Sequence, residues 1–238
     1  IMSGLQEKML SRITADFQVL AKVVLRQQEN IKQLLENNKD NALYTEINND
    51  EHIIDSLEVK IRNEVINTIV LYSPRATNLR MIISYYDMTA YLERIGDLIL
   101  NIAKYLLKVD LQGEVFEIYK PKFLKMLALT GNMTQNAIFA FTCADIQLAR
   151  ETIEMDHQVD QLHHAICDSL RSQYSERTLT AQNMTDILSV SGMSYNMERI
   201  GDNATNIAEA AIYLVEGKNI KHWDNPNKDE VLEAGSEG

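Results

Sequence analysis

One pentapeptide occurs twice in the chain. Glu93-Arg94-Ile95-Gly96-Asp97 recurs letter for letter as Glu198-Arg199-Ile200-Gly201-Asp202, 105 residues further on in a sequence of 238. The likeness extends to both sides at the same offset. Asn101-Ile102-Ala103 matches Asn206-Ile207-Ala208; His52, Asp55, Leu57 and Ile61 match His157, Asp160, Leu162 and Ile166; Ala76, Asn78 and Met88 match Ala181, Asn183 and Met193. Self-similarity at so long a period means two structural units in tandem, each larger than the roughly 20–50-residue repeat of a solenoid.

Those units are helical. The chain has only 9 glycines and 3 prolines, too few turn formers for a sandwich, a barrel or a many-stranded sheet. Apolar residues recur at helical spacing from Leu5 through Ile13, Phe17, Leu20 and Val24 to Leu35, and the run Asn37–Asn41 breaks the pattern. A second helix is expected from Ala42 to Tyr72, and a third from Pro74, placed at the first helical position after Ser73, to about Leu107. Val115–Thr142, Asp145–Tyr174 and Thr180–Val215 repeat the plan, with Gly217 closing the last helix. The reading is an all-α protein of two three-helix bundles, residues 1–112 and 113–217, followed by a polar tail, 218–238, that holds the only Trp, Trp223.

The repeated positions share a charge type. Glu93 and Asp97 stand four apart, as do Glu198 and Asp202, so each pair lies on one helical face about 6 Å apart along the axis. Glu51 and Asp55 form the same pair on the preceding helix, and their counterparts at the common offset are Asp156 and Asp160. Long helices joined by a short turn pack antiparallel, and residues 55 and 93 are almost equidistant from the turn at Ser73. Each bundle therefore gathers four carboxylates at one height. Four anions so close repel one another unless protons or a cation neutralise them, and oxygen donors suit hard ions such as Mg²⁺, Mn²⁺, Ca²⁺ or iron. The candidate metal ligands are Glu51, Asp55, Glu93 and Asp97 in the first half and Asp156, Asp160, Glu198 and Asp202 in the second. Asn101 and Asn206, one turn further along, are candidates for an additional ligand or a supporting hydrogen bond. His52 and His157 read as exposed bystanders, and Gly96 and Gly201 as points of close helix packing.

The balance of 34 acidic against 23 basic residues, a net charge of −11, repels phosphate backbones, so nucleic acid is excluded as a partner. No apolar run approaches the roughly 18 residues that span a bilayer, and the first residues lack the cationic start of a secretory signal. Cys143 and Cys167 are far apart and show no CxxC spacing, which points to a reducing cytoplasm. No P-loop, GxSxG or kinase motif accompanies the acids, so no catalytic residue is assigned and no enzymatic activity is expected.

On ERIGD…NIA in both halves, the pairs Glu51/Asp55 and Asp156/Asp160, the segment Ser73–Arg80 and the closing Tyr213–Lys218, the chain resembles the PhoU family of phosphate-transport accessory and regulatory proteins over about residues 5–222. The resemblance implies a PhoU-like pair of three-helix bundles whose ExxxD faces bind multinuclear metal, iron or zinc in some relatives and magnesium or manganese in others. It also implies a cytoplasmic, homodimeric negative regulator that links a phosphate importer to a sensor histidine kinase, touching the membrane only through those proteins. A PhoU-like cytoplasmic domain of a sodium–phosphate cotransporter is the alternative that the same resemblance allows.

Overall fold

The computed structural model describes residues 4–37, 41–74 and 76–216. Six helices account for nearly all of them: α1 (Gly4–Asn37), α2 (Asn41–Tyr72), α3 (Ala76–Leu106), α4 (Glu114–Cys143), α5 (Ile146–Tyr174) and α6 (Ala181–Glu216). The closure at Gly217 and the tail with Trp223 lie outside the described residues. The apolar stripes behave as their spacing requires: Ile13, Phe17, Leu20, Val24, Ile31 and Leu35 are all fully buried along one side of α1.

Two helix starts differ from the expected ones in instructive ways. Pro74 precedes the third helix instead of opening it, because Ser73 takes a left-handed backbone (φ 42°) and α3 begins only at Ala76. Asp145 is a cap and not the first helical residue of α5; its carboxylate accepts from the Leu148 N–H at 3.0 Å. The α4–α5 connection is correspondingly tight. Ala144 adopts φ 56°, and the Asp145 N–H reaches back to the Ala140 carbonyl at 2.8 Å.

Each half is a three-helix bundle with every helix touching the other two, and the halves meet through α3 on α6 and α1 on α4. Among the described residues, α2 and α5 pack only within their own halves, so they are the outer helices. An aromatic cluster crosses the join: Tyr85 of α3 stands edge-on to Phe17 of α1 at 5.2 Å and to Phe141 of α4 at 5.1 Å between centroids. Helix α6 approaches α3 so closely at Gly192 that any Cβ there would run into the Tyr105 ring. The two ERIGD segments thus ride on the pair of helices that joins the halves, each facing an outer helix of its own half.

Candidate metal centre

The first cluster forms where α2 faces α3. Glu51 is 4% exposed, a carboxylate set almost wholly within the protein. It fits because residue 96 opposite has no side chain: a Cβ on Gly96 would come within 2.9 Å of both Glu51 Oε2 and Ile54 Cδ1. Gln27 of α1, itself fully buried, donates from Nε2 to Glu51 Oε2 at 3.0 Å and to the Ile47 carbonyl at 3.1 Å. The other carboxylate oxygen, Oε1, is buried without a partner. Burial pushes the Glu51 carboxyl up to about 8, against the Gln27 bond, and the facing Asp97 and Asp55 carboxylates push the same way. Glu93, half-buried, rises to about 7 through burial and then through Asp97, Glu58 and Asp55. Asp55 and Asp97 complete the group at its solvent-exposed rim.

The second cluster repeats the arrangement where α5 faces α6. Burial raises Asp156 to about 7, and the charges of Asp160, Asp202, Glu198 and Glu209 add to it. Glu198 and Asp202 are raised as well, by burial first; Asp202 on the same helix and then the facing Asp160 add to Glu198, Asp160 adds to Asp202, and Arg199 acts against both. Asp156 Oδ1 is buried and unpartnered, and a Cβ on Gly201 would stand 2.7 Å from it. Gly96 and Gly201 are therefore more than packing residues: each leaves the space that the deepest acid of its cluster occupies. The deep acids feel charge from the opposite helix in both halves: Glu51 from Asp97, and Asp156 from Asp202 and Glu198.

The remaining sequence candidates divide. Asn206 turns its amide back on its own helix, donating to the Asp202 carbonyl at 2.8 Å, while Asn101 is half-buried beside the first cluster. His52 and His157 are exposed, and their rings meet the amides of Asn48 and Gln161 on their own helices. Several members of the clusters escaped the sequence reading: Gln27, Glu58 and Glu209. Glu58 was within reach, because it lies one turn beyond Asp55 on the same face. Gln27 carried a fainter signal as a polar residue in a slot of the α1 stripe, between Val24 and Ile31.

Among the described residues, no three Asp, Glu, His or Cys side chains stand around one point as they would around a bound ion. The donor set nevertheless suits a cation: oxygen ligands, one buried unpartnered oxygen per cluster, and carboxyls that burial and mutual repulsion push up toward neutral pH.

No helix of the described residues is long and apolar enough to cross a membrane. The family model for the PhoU domain matches the chain twice, over residues 17–106 and 123–211, each match covering one bundle with its acidic faces. The chain is 29% identical over 211 residues to the phosphate-specific transport system accessory protein PhoU homolog of Xylella fastidiosa, spanning 89% of this chain and 85% of that one. It is 32% identical over 194 residues to the homolog of the same name from Aquifex aeolicus, spanning 81% and 86%. The crystal structure of PhoU from Pseudomonas aeruginosa superposes with a TM-score of 0.80 at 26% identity, covering 89% of this chain and 99% of that one. A doubled domain match, relatives aligned over most of both chains, and six helices in the same arrangement lead to one conclusion: this chain belongs to the PhoU family.

Proposed function

We propose that the protein is an accessory component of a phosphate-specific transport system that restrains phosphate uptake and starvation signalling as a non-catalytic, cation-loaded adaptor in the cytoplasm. The observation that carries the reading is the doubled carboxylate cluster, each with a buried unpartnered oxygen, in a chain whose relatives bear that transport system's name. Glu51, Asp55, Glu93 and Asp97 would hold a cation in the first half; Asp156, Asp160, Glu198 and Asp202 would do so in the second. Iron, zinc, manganese or magnesium there supplies the positive charge that the clustered acids call for.

The chain's own residues set the consequence. Glu51 and Asp156 sit on the outer helices and the ERIGD acids on the helices that join the halves, so neutralising each cluster fastens an outer helix to the central pair. Helix faces, and not a catalytic pocket, then present a surface to a phosphate importer and its sensor histidine kinase, and to a second copy in a homodimer. Deleting the gene should raise starvation-gene expression in phosphate-rich medium, and unchanged expression would remove the regulatory role. In the purified protein, Asp97→Ala with Asp202→Ala should lower bound metal, read by elemental analysis, with helical circular dichroism preserved. Equal metal content in the double variant would remove the cation sites.

A further inference from the structure

A polar cleft stands apart from both acidic clusters, where the α3–α4 connection meets the end of α5 and the start of α6. It holds about 240 Å³, room for a small molecule. One wall is a tight turn: the Gly113 N–H donates to the Asp110 carbonyl at 3.0 Å, and the Gln112 N–H donates to Asp110 Oδ1 at 3.1 Å. Asp186 of α6, only 2% exposed, pins that turn from below. Its Oδ1 accepts from the Asp110 N–H at 2.9 Å and from Gln182 Nε2 at 2.8 Å. Both donors are uncharged, so they satisfy the oxygen without neutralising the carboxylate.

The other wall is Tyr174, the last residue of α5, 7% exposed. Its hydroxyl is buried and has no hydrogen-bond partner, although a buried tyrosine hydroxyl ordinarily finds one. Burial first, then Tyr119 and Glu114, push that hydroxyl above the ordinary tyrosine range, and Arg177 acts against them. Glu114 and Arg177 both line the cleft, so the hydroxyl stands on the side of the ring that their charges reach. The fold does not require this polarity. At the common offset Tyr174 stands where the first half has Ile69, and Asp186 where it has Met81, both packed against the core.

We propose that this cleft binds a small organic cation with a primary ammonium head, of the aliphatic diamine class. The carboxylates of Asp110, Glu114 and Asp186 outnumber the single guanidinium of Arg177 in its walls, which favours a cation over an anion or a neutral solute. A bare metal ion fits less well, because among the described residues no three acids stand around one point. An ammonium brings three donors and no acceptor. The unpartnered Tyr174 oxygen takes one of them and the carboxylates take the others, as charge-assisted hydrogen bonds. Val115 and Leu179 offer apolar contact to a short methylene chain. A molecule so held ties the connection between the halves to the ends of α5 and α6.

The test is calorimetric titration of the full chain, freed of metal, with putrescine at about 0.15 M NaCl, where diffuse attraction to the acidic surface is screened. The wild-type chain should show one saturable site. Tyr174→Phe removes only the oxygen and should weaken binding about 10–100-fold, the loss expected for a hydrogen bond to a charged group. Glu114→Gln should weaken it as well, whereas Asp97→Ala with Asp202→Ala should leave it unchanged. Far-ultraviolet circular dichroism of each variant shows that it remains folded. The proposal is overturned if the wild-type chain shows no saturable site, or if Tyr174→Phe and Glu114→Gln bind putrescine as the wild type does. Displacement of putrescine by equimolar Mg²⁺ would overturn it too, making the cleft a site for an inorganic ion. None of these results bears on the acidic clusters, whose metal content is measured separately.

Discussion

The two acidic clusters differ chiefly in what lies behind them. Behind Glu51 stands a fully buried amide, Gln27, reaching from α1; behind Gly201 and Asp156 stands the Met133 methyl of α4, 3.7 Å from where a Cβ on Gly201 would be. The seams of the outer helices differ likewise. Charge ties α1 to α2 through Arg26–Asp50, Arg12–Glu64 at 2.8 Å and Lys60–Asp16 at 2.7 Å. Helices α4 and α5 are joined instead by apolar packing and by a hydroxyl pair, Tyr119 to Ser169 at 3.0 Å. One repeat has kept its acids in a polar setting and the other in an apolar one. The comparison teaches that the acids, not their surroundings, are the shared element of the two halves.

The largest expected effect concerns pH. A carboxyl whose pKa is higher in the fold than in the open chain makes the native state bind more protons, so stability is full below the ordinary value and falls as pH rises toward the folded one. For Glu51 that window runs from the ordinary glutamate value of 4.5 to about 8; for Asp156 it runs from the ordinary aspartate value of 3.8 to about 7. Metal-free protein should therefore lose stability between about pH 5 and pH 8, at up to about 1.4 kcal/mol per unit for a single buried group. Glu51→Gln should flatten the loss and raise the urea midpoint near pH 8 more than Asp156→Asn does, because Asp156 is less deeply buried. Equal gains from the two would remove the claimed difference in setting.

A smaller effect separates the two glycines. Gly96→Ala forces a methyl against the Ile54 Cδ1 of the core as well as the Glu51 carboxylate, whereas Gly201→Ala meets only the end of Asp156, with Val159 at an ordinary 3.6 Å. Gly96→Ala should cost about 1–3 kcal/mol by overpacking. Gly201→Ala should cost less, offset by the gain of about 1 kcal/mol that alanine brings to a helix interior. Thermal unfolding of both variants decides it, and a larger loss at Gly201 would reverse the assignment of the tighter cradle.

The smallest effect probes the seams. Lys60→Ala removes a partly exposed ion pair and should cost under about 1 kcal/mol, vanishing near 1 M salt. Tyr119→Phe removes a buried hydroxyl's bond and should cost about 1 kcal/mol at any salt concentration. Unfolding titrations at low and high salt measure both; a salt-sensitive Tyr119→Phe would contradict the apolar character of the second seam.

Much of this was readable before any coordinates. The stripe from Ile13 to Leu35 announced a buried helix face, and the doubled ERIGD at one offset announced two like bundles with facing acids. Helix starts were less readable. Pro74 looked suited to open α3, but the backbone turned left-handed at Ser73, a choice that depends on how α2 and α3 must meet. Gln27 was hidden for a different reason: it lies 24 residues from Glu51, on a helix with no acidic motif of its own.

Helical periodicity and the internal offset settle which residues share a face and which heights coincide, because both follow from the fixed rise of an α-helix counted along one chain. They cannot say which of four like carboxylates is driven inside. That depends on the summed burial and charge contributed by helices remote in sequence: the space left at Gly96 and Gly201 and the amide of Gln27. Desolvation and field are properties of everything within a few ångströms, and only the packed bundle brings those groups that near.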